Sequence, residues 1–317
     1  MNISFTQYVN KKIRDQFSNY KDSVIFGQNI VAGSRISGLG SQLENVNGVR
    51  AINSINSENS LMGFGLGLAL SGIPTLFLMK QHDFALLGID QLTNTTNVLR
   101  NGRFLAPFIV LMVVVDSGYE GPQASLSSLD EFASLARVPV HYLSTKESID
   151  MAFRKAESPG LHFLALSQKN MKKSIDKTVT LIAEYDKAIL YGKANEINEE
   201  AKIALIFYGV EISFAEDIID NIGISEKKCD LFVITQLTKE DGSSNLFSKV
   251  LQYEKIIIID IGKSEIHFSS ELAWLLKENG KNVHKFQRRS SNKWSEVTSD
   301  ELEFGMDEVI SLIKRSP

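Results

Sequence analysis

Cysteine is nearly absent from this sequence: Cys229 is the single thiol among 317 residues. An intrachain disulfide framework and any metal site built from several thiolates are therefore excluded. A solitary cysteine next to an apolar run reads as a small buried residue rather than a nucleophile. A dominant charge of one sign is missing too. The formal net charge is −4, from 34 basic and 38 acidic side chains. No segment joins clustered Lys and Arg to aromatic stacking residues, so nucleic acid is not an expected partner. Long hydrophobic runs are also lacking. The longest, Phe108 to Val115, falls well short of the roughly 20 residues needed to span a bilayer as a helix. The first residues have no apolar signal-peptide core; Phe5, Val9, Ile13 and Phe17 recur every fourth position as a helical stripe. The expectation is a cytoplasmic protein without a membrane partner.

What is present is an alternation of short apolar runs with helical patterns, on a chain long enough for about two cores. After the first stripe, Val24 to Phe26 reads as a strand ending at Gly27. Gly33 to Gly40 is glycine-rich, and Leu76 to Met79 and Phe108 to Val115 read as buried parallel strands. A helix over Leu129 to Ala136, a strand at Val140 to Leu143, a helix at Glu147 to Ala156 and a strand at His162 to Leu166 complete the pattern. The alternation restarts with strands at Ile203 to Phe207, Leu231 to Ile234 and Ile256 to Ile259. The predicted class is α/β, with two doubly wound open-sheet domains: residues 1–170, a Lys/Glu/Asn-rich linker at 171–198, and residues 199–317.

The stretch from Asn56 to Asn94 organises the rest. Asn56 or Ser57 is placed to cap a helix, Glu58 stands in its first turn, and Gly63, Gly67 and Ser71 recur on one face where another backbone can approach. Pro74 is expected to end that helix. Lys80-Gln81-His82-Asp83 follows the next strand, and a helix is expected from Phe84 to Leu99. The turn-rich loop from Asp116 to Ser128 sits at the carboxyl end of a predicted strand, where open α/β sheets place ligands.

Three motifs in this region carry a family resemblance: Ser57-Glu58 followed by Gly63, Gly65 and Gly67; Asp83-Phe84; and Ile89-Asp90-Gln91-Leu92-x-Asn94. On them the chain resembles the β subunit of the thiamine-dependent 2-oxo acid dehydrogenases and, behind it, the pyrimidine-binding and C-terminal domains of transketolases. The resemblance implies thiamine diphosphate and Mg²⁺ as cofactors. It implies that Glu58 donates a proton to the aminopyrimidine ring, a role set against that of a first-turn acid on a helix dipole. Phe84 would lie beside the same ring, or in the core. His82 would be a proton carrier, or a structural donor. Gln81 stands where bacterial β subunits place an aromatic residue, Gln28-Asn29 where the family carries Glu-Asp, and Ala124 where it carries a histidine. No Gly-Asp-Gly followed downstream by Asn occurs, so the diphosphate and metal are expected on an α-like partner, with a β–β contact in an α2β2 assembly. No metal ligand is assigned within this chain. The implied activity makes or breaks a C–C bond beside a carbonyl of a 2-oxo acid, ketose or aldehyde. The alternatives are ordinary dehydrogenase service and a non-catalytic binding subunit.

Overall fold

The structure is a computed structural model that describes residues 3–96, 103–115, 128–175, 180–192, 201–215, 217, 229–264, 266–288 and 304–314. They fall into two compact units, Met1–Val115 with Phe132–Asp176, and Asp116–Glu131 with Lys177–Pro317.

In the first unit α1 (Phe5–Phe17) opens with a reciprocal capping box between Ser4 and Gln7 and buries Phe5, Val9, Ile13 and Phe17. Strands β1 (Ser23–Gly27), β2 (Val49–Asn53), β3 (Thr75–Met79), β4 (Pro107–Val114), β5 (Val140–Tyr142) and β6 (Gly160–Ser167) lie in the order β5-β6-β4-β3-β1-β2. Every pairing among them is parallel. Strands β1, β3 and β4 are buried along their whole length, as covering both faces of a parallel sheet requires. From β1 the chain moves to β2 on one side and then to β3 on the other. The order therefore reverses between β1 and β3, and the crevice at their carboxyl ends is where such sheets bind ligands.

Helix α2 (Glu58–Leu70) crosses from β2 to β3 and turns Met62, Leu66 and Ala69 inward. Its close approach to the sheet is made by Gly65: a Cβ there would overlap the ring of Phe108 on β4. The stripe expected to make close contact is different. A Cβ on Gly63 would meet Gln91 at 3.5 Å, and one on Gly67 would meet nothing within 4 Å. The helix also ends before Pro74. Gly72 adopts φ +83°, and the Gly72 and Ile73 amides donate to the Ala69 and Leu68 carbonyls, which closes it as a Schellman motif.

The expected Phe84 to Leu99 helix is not a single α-helix. His82–Gly88 forms a 3₁₀ segment and Gln91–Thr95 a π-helical turn. The physical reason is local. The Thr93 hydroxyl donates to the Ile89 carbonyl and the Thr96 hydroxyl to the Gln91 carbonyl, side-chain bonds that compete with the regular ladder. Gly88 meanwhile presses on α2, where an added Cβ would lie 2.7 Å from Met62 Cγ. The remaining helices of this part, α3 (Leu129–Ala136) and α4 (Lys146–Lys155), lie where the pattern puts them.

The second unit holds β7 (Thr180–Glu184), β8 (Ala188–Gly192), β9 (Ile203–Tyr208), β10 (Cys229–Ile234), a two-residue β11 (Gln236–Leu237), β12 (Lys255–Asp260) and β13 (Asn282–Gln287). Helices α5 (Asn245–Val250), α6 (Phe268–Glu278) and α7 (Met306–Lys314) complete it. The sheet runs β13-β12-β9-β10-β8-β7. Its first four strands are parallel, while β8 and β7 pair antiparallel. Residues 180–192, read from the sequence as part of a linker, are thus two strands of this sheet. Their apolar islands are too short to cover both faces of a parallel strand, but they suit an antiparallel edge. Cys229 is a buried free thiol.

Gly65→Ala should destabilise the chain by about 1–3 kcal/mol, because the Phe108 ring would have to move. Gly67→Ala, where an added Cβ meets nothing within 4 Å in the same chain, should stabilise the monomeric chain by about 0.5–1 kcal/mol. Urea unfolding of the two variants checks both signs; a destabilised Gly67→Ala chain would show that this face is covered.

Candidate active site

Glu58 is the first residue of α2, at the carboxyl-end side of the first sheet, and is only 6% exposed. Its Oε1 accepts a hydrogen bond from Gln28 Nε2 at 3.1 Å, while Oε2 accepts none from the described residues. Gln28 follows directly on β1, so the two partners come from both sides of the β1 carboxyl end. The loop carrying Gln28 is pinned. A Cβ on Gly27 would overlap the Leu78 carbonyl, Asn29 takes φ +55°, and the Ile30 and Val31 amides donate to Asn53 Oδ1 at 2.8 and 3.0 Å.

The β3 side of the crevice carries the other anticipated residues. Gln81 and Phe84 are half-buried, with the Phe84 amide donating to the Gln81 carbonyl at 3.3 Å. His82 turns inward: it is 1% exposed, its ring edge-on to Phe132 with centroids 5.4 Å apart. No hydrogen bond among the described residues joins Glu58 to Gln81, His82 or Phe84. Of the apolar side chains that follow Glu58 on α2, Met62 is buried and Leu61 half-buried, whereas Phe64 is 45% exposed and meets Phe26 edge-on. Ala124, with Gln123 and Ser125, lies outside the described residues.

Sequence reasoning missed the Gln28–Glu58 bond. The available signal was positional: Gln28 directly follows β1, and the helix after the neighbouring strand begins at Glu58. It also missed a buried ionisable cluster in the second unit, at the carboxyl end of β12. His267 Nδ1 stands 3.1 Å from Asp260 Oδ2, the Ser269 hydroxyl donates to the same oxygen, and the Gly262 amide donates to Oδ1 at 2.9 Å. Asp130 Oδ1 accepts the Phe268 amide at 2.8 Å, at the first turn of α6. Burial works against the charges of this pair, but the contact between Asp260 and His267 holds the carboxyl below its usual range and the imidazole above its own. Asp130 is pushed up to about 7, first by burial and then by the charge of Asp260. His267 is in this way the partner of a buried carboxylate. His162 Nε2 lies 2.8 Å from the Ser158 carbonyl, and burial drives His141 down to about 3. Among the described residues no group of three or more His, Cys, Asp or Glu side chains is arranged to hold a metal, and no helix is long and apolar enough to cross a membrane.

These features define a two-unit α/β architecture of transketolase type: two sheets dominated by parallel strands, each with a reversal of strand order. No protein-family model matches the chain. Among solved structures it is similar in fold to one described as a split gene transketolase, inactive beta4 tetramer. That likeness has a TM-score of 0.66 and 11% identity, and covers 99% of this chain and 98% of the other.

The Asp130 site carries a pH signature. The unfolded chain releases this proton near 3.8 and the folded one near 7, so across that window the unfolded state binds fewer protons and stability falls as pH rises. Asp130→Asn retains an acceptor for the Phe268 amide but cannot ionise. Its stability relative to the parent chain should therefore increase from about pH 4 to about pH 8 in urea unfolding. A constant difference across that range would place the Asp130 proton elsewhere.

Proposed function

We propose that this chain is the pyrimidine-binding, β-like subunit of a split thiamine-diphosphate-dependent enzyme that makes or breaks a C–C bond next to a carbonyl. The observation that carries this reading is the buried Glu58 carboxyl at the β1/β3 crevice, with Oε1 occupied by an amide donor and Oε2 free of hydrogen bonds from the described residues. The full-length fold likeness to a split transketolase chain supports it.

The residues present fit the aminopyrimidine half of the cofactor. Glu58 Oε2 would hold a proton toward a ring nitrogen, the Gln81 amide would offer hydrogen bonds, and the half-buried Phe84 would wall the ring. His82, packed edge-on to Phe132, serves the wall behind them. For the other half the sequence has no Gly-Asp-Gly run. Mg²⁺ and the diphosphate therefore fall to an α-like partner chain. Thiamine diphosphate supplies, when bound, a thiazolium carbon that adds to carbonyl groups. Glu58 contributes the proton, the buried wall excludes water, and an alanine in the sequence at position 124, where the resembled family carries a histidine, favours an aldehyde or ketose acceptor over a lipoyl arm.

The open Gly67 and the exposed Phe64 mark the face of α2 for a β–β contact. The neighbouring structure is described as an inactive β4 tetramer, and on that pattern this chain without its partner is a silent homo-oligomer. Calorimetry should show magnesium-dependent thiamine diphosphate binding only in the assembled complex, since the charged contacts are the strong ones. In that complex Glu58→Gln should slow exchange of the thiazolium proton by about 10²–10⁴-fold with little change in folding. An unaltered exchange rate removes Glu58 from the chemistry, and tight binding by the chain alone refutes the split site. Efficient acylation of a lipoyl domain without carboligation would return the chain to ordinary dehydrogenase service.

A further inference from the structure

We propose that Gln28 is a positioning residue that decides which oxygen of Glu58 carries the acid proton, an inference that rests on Glu58 being the proton donor to the pyrimidine. Gln28 Nε2 bears hydrogens and no lone pair available for accepting, so Glu58 Oε1, 3.1 Å away, acts as the acceptor. In the neutral acid the accepting oxygen is the carbonyl one. The proton then belongs to Oε2, which takes no hydrogen bond from the described residues and is free to give it away. A carboxyl without this partner would populate both proton placements and lose alignment with any ring nitrogen.

An amide at residue 28 suits this task better than an acid would. A carboxylate at residue 28 could approach Glu58 at hydrogen-bond distance only by sharing its proton, and the two would titrate as a pair. A neutral amide donates without competing for the proton or repelling the carboxylate. Its placement is fixed by backbone rather than by other side chains at its tip: Gly27 lies against the Leu78 carbonyl, and Asn53 Oδ1 gathers the Ile30 and Val31 amides. The Glu58 end is fixed as well, because Gly88 seats the 3₁₀ segment on Met62, and a Cβ added at residue 88 would stand 3.4 Å from the Glu58 carbonyl.

The test has two arms. In the isolated chain, without cofactor, the Gln28 side-chain amide resonances should move on acidification and lose that response in Glu58→Gln; amide resonances indifferent to pH and to that substitution overturn the proposal. In the assembled complex Gln28→Met keeps side-chain length but has no N–H. It should slow thiazolium proton exchange by about tenfold, the worth of one hydrogen bond to a reacting group, with cofactor affinity unchanged. Gln28→Glu should add a second ionisation to the pH profile of that exchange, which a merely structural role would not do. If Glu58→Gln slows exchange while Gln28→Met and Gln28→Glu leave rate and profile alone, the Gln28 inference fails and the assignment of Glu58 stands. If Glu58→Gln leaves exchange unchanged, both fail.

Discussion

Gly65 leaves no room for even a methyl group over the Phe108 ring, and where α2 lies on the sheet follows from that contact. Once the helix axis is set against β4, its first residue is set too, and Glu58 arrives beside the carboxyl end of β1. A second glycine, Gly88, repeats the device from the other side by letting the 3₁₀ segment rest on Met62. The acid is thus located by packing of backbone against side chains whose volumes cannot be compressed.

Strand order supplies the rest of the geometry. Because the chain runs from β1 to β2 and back across to β3, the loops after β1 and β3 diverge and leave a crevice between them. Gln28 and Gln81 are the residues at those two strand ends. Both are uncharged amides in a place where the resembled family carries an acid and an aromatic ring. The site is therefore less charged and less stacked than the family pattern, and Glu58 is the ionisable side chain whose open oxygen it presents. The second sheet has the same kind of reversal, between β9 and β12, and places Asp260 at its carboxyl end. There the polar groups satisfy one another: His267 and Ser269 both turn to Asp260, and Asp130 takes the first amide of α6.

Much of the fold was legible from residue pattern. Continuous apolar runs such as Phe108 to Val115 can only be buried on both sides, and that demands a parallel sheet covered by helices. The Leu129–Ala136 helix is read to the residue from its apolar spacing. The misreadings have local causes. Hydroxyls at Thr93 and Thr96 bond backwards to carbonyls where the expected helix becomes a π turn, a competition that side-chain periodicity does not record. Strands β7 and β8 were hidden because a solvated antiparallel edge carries as many polar residues as a linker does.

Sequence by itself determined the class of the chain, the helix that begins at Glu58 and the absence of a diphosphate motif, because each depends on composition or on neighbours within one turn. It also placed amides at residues 28 and 81, but not their meaning. The tertiary structure decided that Gln28 meets Glu58 across 30 positions of sequence, that His82 packs edge-on against Phe132, and that Gly65 makes the tight contact with the sheet. The physical reason is common to all three. A glycine spacing of two or four and a polar residue at a strand end are equally compatible with several faces and partners, and only the excluded volume of the surrounding side chains selects among them.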